Sequence, residues 1–307
     1  MATQNKAHRW GKIDFMGQAW MFGSASALAV ILSLVIFATK RINYGIDFAG
    51  GLEVQVKFQK EFSTEQLRSS LAGLGFPKVQ IQEFGEKSEF LLRLENPDGA
   101  NEKEITEKAN ATAKKLSEVI TANLSNMGPN ILRTDSVGPQ VGEELKKNSI
   151  LAGFYSLIVL LIYVGLRFDF NFSAGAILCL FHDAIITLGI LVLLGKEINV
   201  QIMASILTLI GFSVNDTIVT FDRIRENLTH HRDGSLKDIM NLSVNEMLSR
   251  TILTTGTVFL STGALYWFAG GVIEDFAFSF LIGIVIGVYS SIYVASPIAL
   301  VFERIKR

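Results

Sequence analysis

The 307-residue sequence holds a single cysteine, Cys179, set in an apolar run. An intrachain disulfide is excluded, and so is a Cys-x-x-Cys zinc or redox site. Charge is scarce too. Asp, Glu, Lys and Arg supply 19% of the residues, where an average soluble domain has about 25%. The net charge of −1 offers nothing to a nucleic-acid backbone, so no nucleic-acid partner is expected. No Gly-x-x-x-x-Gly-Lys-Ser/Thr loop is present, which removes an ATPase of that type. There is no His-Glu-x-x-His pair, and His8, His182, His230 and His231 are not arranged as metal ligands. No metal or organic cofactor is expected. Work must then be drawn from an ion gradient or a partner. One charge crossing the membrane potential supplies about 2.3 kcal/mol per 100 mV.

Long apolar runs stand in place of these features. Residues 1–14 are polar and basic, with Lys6, Arg9 and Lys12. Phe15–Thr39 then carries no charge. At about 1.5 Å per residue it can cross a bilayer as a helix. It is too long for a signal-peptide core and reads as an uncleaved anchor. Further spans are expected at Asn148–Leu166, Asn171–Leu194, Asn199–Phe221, Thr251–Ile273 and Phe276–Phe302. Asp222–Arg250 reads as a polar, amphipathic connection, so residues 148–302 hold helices 2–6 with a loop at 222–250. Residues 303–307 are a basic tail. Six spans put both termini on one side. The N-terminal segment, Arg167, the 223–250 stretch and Arg304–Arg307 all fall there, which makes that side cytoplasmic.

Residues 40–147 are then extracytoplasmic, and an exported domain without cysteine suits a bacterial periplasm. Leu52–Gln59 alternates with period 2 and predicts a strand. Ser63 stands three residues before Gln66, a capping-box pattern that opens a helix, and Gly73 or Gly75 can end it. Val79–Phe84 and Glu89–Leu94 predict strands around a turn at Gly85–Ser88, Asn101–Asn126 a helix, and Ile131–Val137 a last strand. The order β-α-β-β-α-β is the split-βαβ, ferredoxin-like pattern. The expected fold is a polytopic α-helical membrane protein of six transmembrane helices, with a small α+β ferredoxin-like domain between helices 1 and 2.

Asn199–Asn227 is the stretch on which function turns. Asp216 lies inside its apolar part. A carboxylate in such a helix costs roughly 2.5–3.5 kcal/mol on insertion scales, so it normally faces protein or water and has a task. Ser213 and Thr220 share its helix face, and Gly211 thins the helix for a close neighbour. A protonatable group in an ion path is the functional reading; a structural carboxylate bonded to an adjacent helix is the competing one. Arg250 enters the fifth span and begins a polar stripe with Thr254, Thr257 and Ser261. The stripe makes Arg250 a candidate charge partner, where alone it would be a snorkelling cation. His182-Asp183 sits mid-span, either as a proton relay or as a satisfied interhelical bond. Gly283-x-x-x-Gly287 is a close-packing motif, and Asp47-Phe48-Ala49-Gly50-Gly51 suits turn chemistry.

Taken as a set, the motifs resemble the SecD/SecF protein-export family, on its SecF side, within the RND transporter superfamily. They are Tyr44–Gly51, Val137–Gly142, His182-Asp183, Phe212–Val219, Phe221–Asn227 and Ser249-Arg250-Thr251. The family usually has Ser-Ile-Asn-Asp in the fourth span, where this chain has Ser213-Val214-Asn215-Asp216. The resemblance implies a proton-driven, non-enzymatic machine of the bacterial inner membrane. It assists preproteins through SecYEG after the ATPase SecA, with a six-span SecD half as obligate partner and YajC as an associate. Protons are the coupling ion. Asp216 and Arg250 carry over as the proton pathway, with Asn215, Thr217, Thr254, His182 and Asp183 as secondary candidates. Asp47, Gly50 and Gly51 form a family motif of uncertain role. An RND-type exporter of lipid or small molecules is the alternative within transport. An intramembrane aspartyl protease built on Asp183 and Asp216 is the alternative from another class, and a purely structural scaffold is a third.

Overall fold

The computed structural model describes residues 13–306, except 41, 62, 84–87, 98, 100, 232–234 and 270. The cations Lys6, Arg9 and Lys12 and most of the 85–88 turn lie outside the described residues. In chain order the helices and strands are α1 (Ala19–Thr39), α2 (Ile46–Ala49), β1 (Gly51–Phe58), α3 (Thr64–Gly73), β2 (Gln80–Glu83), β3 (Glu89–Leu94), α4 (Glu102–Asn123), β4 (Pro129–Val137), α5 (Pro139–Arg167), α6 (Phe170–Leu193), α7 (Val200–His230), α8 (Leu236–Phe268), α9 (Gly271–Ser290) and α10 (Ser296–Lys306). A π-helical segment, Ser291–Ala295, joins α9 to α10. Two compact units result. One is helical; the other holds Tyr44–Leu151 and Glu197–Val200.

In the second unit the strands form an antiparallel sheet in the order β2-β3-β1-β4. The period-2 pattern of β1 sends Leu52, Val54, Val56 and Phe58 into the core, where they are buried. Leu67 and Leu71 of α3 and Leu116 and Ile120 of α4 close that core. Each such side chain contributes about 1.5–3 kcal/mol by leaving water. The capping box forms as its spacing predicts: Gln66 N donates to Ser63 Oγ at 3.3 Å and Ser63 N donates to Gln66 Oε1 at 3.1 Å. The half-buried flank of β1 and β3 holds a charge triad. Arg93 reaches Glu53 at 2.6 Å and both oxygens of Glu197 at 2.5 Å. Burial raises the Glu53 carboxyl above its ordinary value, against the pull of Arg93. Burial also works against the Arg93 cation, but Glu197 and Glu53 outweigh it and raise its pKa.

In the helical unit, five helices among the described residues are long and apolar enough to cross a membrane: Ala19–Thr39, Pro139–Arg167, Phe172–Leu193, Val200–His230 and Ile273–Phe302. α8 is longer than any of these, but Thr251, Thr254, Thr255, Thr257, Ser261 and Thr262 dilute its apolar half. The reading of residues 222–250 as a loop does not hold. α7 runs on to His230 and α8 starts at Leu236, so only residues 231–235 connect them. The cause is visible in α7. Its buried positions Ser213, Thr217, Thr220, Phe221, Ile224 and Asn227 keep the helical spacing straight through the charged cluster. Asn227 Nδ2 donates to Ser243 Oγ at 3.0 Å and Arg223 Nε to Glu246 Oε2 at 2.7 Å, tying the two helices together. Phe221 is fully buried with Phe168 and Phe172 edge-on against it. Gly283 meets Leu209 where a Cβ would stand, and Gly287 meets Ser213 at 3.4 Å, so the small-residue motif lets α9 lie on α7.

Candidate functional site

Asp216 is half-buried on α7, and hydroxyls hold both its oxygens. Thr251 Oγ1, on α8, donates to Oδ1 at 2.8 Å. Ser291 Oγ, at the first residue of the π segment, donates to Oδ2 at 2.7 Å. Arg250 precedes Thr251 but is exposed, and among the described residues no ion pair joins it to Asp216. Among the described residues the two candidate groups of the proton pathway are therefore not paired with each other. Helical geometry explains it: adjacent residues point about 100° apart, and it is Thr251 that turns inward. Asn215, the residue before Asp216, is exposed.

The stripe from Arg250 behaves differently from a hydrogen-bonded seam. Thr254 Oγ1 donates to the Arg250 carbonyl at 2.9 Å, Thr257 Oγ1 to that of Thr254 at 2.8 Å, and Ser261 Oγ to that of Thr257 at 2.8 Å. All three are exposed, their polar groups spent on their own helix.

A second carboxylate, Asp183, is fully buried on α6. Although neighbours in sequence, His182 and Asp183 do meet: Nδ1 lies 2.9 Å from Oδ1. Ser213 Oγ of α7 donates to Oδ2 at 2.5 Å. Cys179 Sγ, one turn before, donates to Ser290 Oγ at 3.1 Å. His182 also stacks on Tyr289, whose hydroxyl donates to the Phe22 carbonyl at 2.7 Å. His182 Nε2 and the hydroxyls of Thr187 and Thr217 are buried with no partner among the described residues. Thr217, a secondary candidate for the proton pathway, is buried and makes no hydrogen bond to Asp216 among the described residues. Asp183 and Asp216 have separate partners, so they do not form the shared-proton pair an aspartyl protease needs.

Consecutive serines link the two carboxylates' surroundings, Ser290 through Cys179 and Ser291 directly. The sequence reading missed both. Their signal was a Ser-Ser pair interrupting the last apolar run.

The Asp47 motif has a structural task in the sheet-bearing unit. Asp47 Oδ2 accepts from the backbone N–H of Val200, the first residue of α7, at 3.2 Å. A carboxylate there satisfies one of the helix's free amides and opposes the positive end of its dipole. Gly50 and Gly51 adopt φ of +70° and +136°. A Cβ on Gly50 would stand 2.6 Å from Asn96 Nδ2 and 3.2 Å from Pro139 Cα. Among the described residues no cluster of three or more His, Cys, Asp and Glu side chains could hold a metal ion.

Apolar helices with two engaged carboxylates among them define a multi-pass, helix-bundle membrane protein with ionisable groups in its interior. The chain belongs to the SecD/SecF family of protein-export membrane proteins. It matches "Protein export membrane protein SecD/SecF, C-terminal" over residues 118–305 and the "SecD/SecF GG Motif" over residues 35–61. It is 42% identical over 301 residues to the protein translocase subunit SecF of Calditerrivibrio nitroreducens, covering 96% of this chain and 95% of that protein. It is 38% identical over 288 residues to the SecF of Escherichia coli O157:H7, covering 94% and 87%. Among solved structures it is similar to SecDF, a translocon-associated membrane protein from Thermus thermophilus. The TM-score is 0.84 at 34% identity, over 98% of this chain but 40% of that one. A structure of SecDF in a super-membrane-facing form gives a TM-score of 0.69 at 33% identity, again over 40% of the longer chain. The chain thus spans about two fifths of the length of the solved proteins it matches.

Proposed function

We propose that this chain is a proton-motive-force-driven accessory subunit of the Sec translocon. Together with SecD it promotes preprotein translocation and release across the bacterial inner membrane. It is not an enzyme; protons are its coupling ion. SecYEG with SecA is its working context, and YajC an associate. The relatives' shared description as a translocase subunit supports the setting. The solved SecDF chains, of which this chain matches two fifths, support a partner half that supplies the rest.

The observation that carries the proton role is Asp216: a carboxylate amid apolar helices, held by two hydroxyls and, among the described residues, by no cation. Asn215, Arg250 and Thr254 beside it are exposed. On this reading they face the SecD half, and Arg250 finds its charge partner across that interface.

The reading includes six spans, with α8 as the fifth, and places the α+β unit in the periplasm as a ferredoxin-like domain. The strand order β2-β3-β1-β4 supports the latter. Contacts within the helical unit support cytoplasmic termini and alternate crossing. Ile13 N and Phe15 N donate to Asn245 and Asn241 at the start of α8, at 2.9 and 2.8 Å. Arg167, ending α5, donates to Asp222 at 2.8 Å. Lys40, after α1, instead reaches the Leu193 carbonyl at the end of α6, at 3.1 Å.

Asp216→Asn tests the proposal in inverted membrane vesicles carrying the whole complex. Gradient-stimulated preprotein export should fall to the uncoupled level while the chain still assembles with SecD. Export at the wild-type rate would remove Asp216 from the proton path.

A further inference from the structure

Ser291 has a choice that no other partner of Asp216 has. Its single hydroxyl hydrogen lies within reach of two acceptors, Asp216 Oδ2 at 2.7 Å and the Val288 carbonyl at 3.0 Å. Thr251 offers its hydrogen to Oδ1 at 2.8 Å and has no second acceptor among the described residues. Other ionisable groups nearby are engaged elsewhere or absent from the contact. Glu246 bonds Arg223 and Asn227, Asp183 bonds His182 and Ser213, and Arg250 is exposed. Tyr293 lies against the rings of Phe15 and Phe22, and Tyr289 against His182.

We infer that Ser291 is a positioning residue that selects Oδ2 as the proton-carrying oxygen of Asp216 and reports its protonation to the π segment. With Asp216 ionised, Ser291 O–H donates to Oδ2. A proton arriving on Oδ2 forms a new O–H bond there, and that group now donates to Ser291 Oγ. The Ser291 hydrogen rotates onto the Val288 carbonyl. No other covalent bond changes, and Thr251 keeps its bond to Oδ1. The hydrogen bond between helices survives with its direction reversed, and the one inside α9 is made or lost. It is made or lost where α9 gives way to π geometry, beside the Ser291 carbonyl that Ser296 Oγ caps at 3.0 Å. Such π turns recur at functional positions. This inference rests on Asp216 carrying a proton.

The test is difference infrared spectroscopy of the complex with SecD in lipid vesicles across a pH series. The protonated Asp216 band is the one that Asp216→Asn removes. Removing a donor to the ionised form should let the proton bind earlier. In Ser291→Ala the band is therefore expected at a pH about one unit higher, and at a higher carbonyl frequency. Ser291→Thr should restore the wild-type band and the pH profile of export. If Ser291→Ala does not assemble, Ser291→Cys, a weaker donor of similar size, should give a smaller shift the same way. An unmoved band in whichever variant assembles overturns the role of Ser291 while leaving Asp216 as a proton carrier. A spectrum with no Asp216-dependent band at any pH overturns both.

Discussion

Asp216 and Arg250 are both legible as residues, but their geometry is not. Sequence gives the cost of each charge in an apolar helix; it does not say which of two neighbours, Arg250 or Thr251, turns inward. That is decided by the rotation of α8 against α7, which packing alone fixes. Likewise Thr217 belongs by spacing to either face and by contact to the bundle interior. The glycines were easier to place, since turn chemistry needs no partner to be read. At Gly50 the left-handed φ and the crowding by Asn96 and Pro139 act together. Gly50→Ala should destabilise the sheet-bearing unit by about 1–3 kcal/mol. Faster amide exchange in the 51–58 strand, with exchange in α6 unchanged, would show it.

Elements were read best where one physical signal dominated. Period-2 alternation located β1, and the Ser63–Gln66 spacing located the start of α3. The 222–250 segment was misread because its charge density outweighed a buried stripe that continues at helical spacing. Hydropathy reports the solvent a helix sits in, whereas periodicity reports that it is a helix, and here the two part company. Close approach of α9 to α7 rests on Gly283. Gly283→Ala should cost about 1–3 kcal/mol through overpacking against Leu209, and Gly283→Leu more. Melting of the purified complex, and the amount of chain accumulating in the membrane, would both fall in that order. Equal values for the two variants would mean that α9 does not depend on this contact.

For the whole molecule, a helical part carrying long apolar runs and a separate α+β unit were legible in the sequence, but the electrostatics of the α+β unit were not. Arg93, Glu53 and Glu197 come from widely separated stretches. Because burial raises the Glu53 carboxyl, this group favours folding while it is protonated. That contribution is complete below its ordinary titration range and is lost as pH climbs through the raised value. As pH rises above the ordinary glutamate range, about 4.3, protection of the β1 amides in the wild type should therefore fall relative to Glu53→Gln at the same pH. A constant ratio between the two proteins would refute the sign. Arg93→Ala leaves two facing carboxylates without a cation and should cost about 3–5 kcal/mol.

The threonine-rich half of α8 bears on how the protein is made. Its hydroxyls soften the cost of their own polarity by bonding backbone carbonyls, yet the segment stays less apolar than its neighbours. As it leaves the ribosome, such a segment partitions poorly into lipid alone. α9 begins three residues after Phe268 and is strongly apolar. On the six-span reading α8 enters the bilayer as one arm of a helical hairpin, drawn in by α9. Charges placed in α9 would then leave α8 stranded at the cytoplasmic surface, an orientation fault in a helix that was never altered.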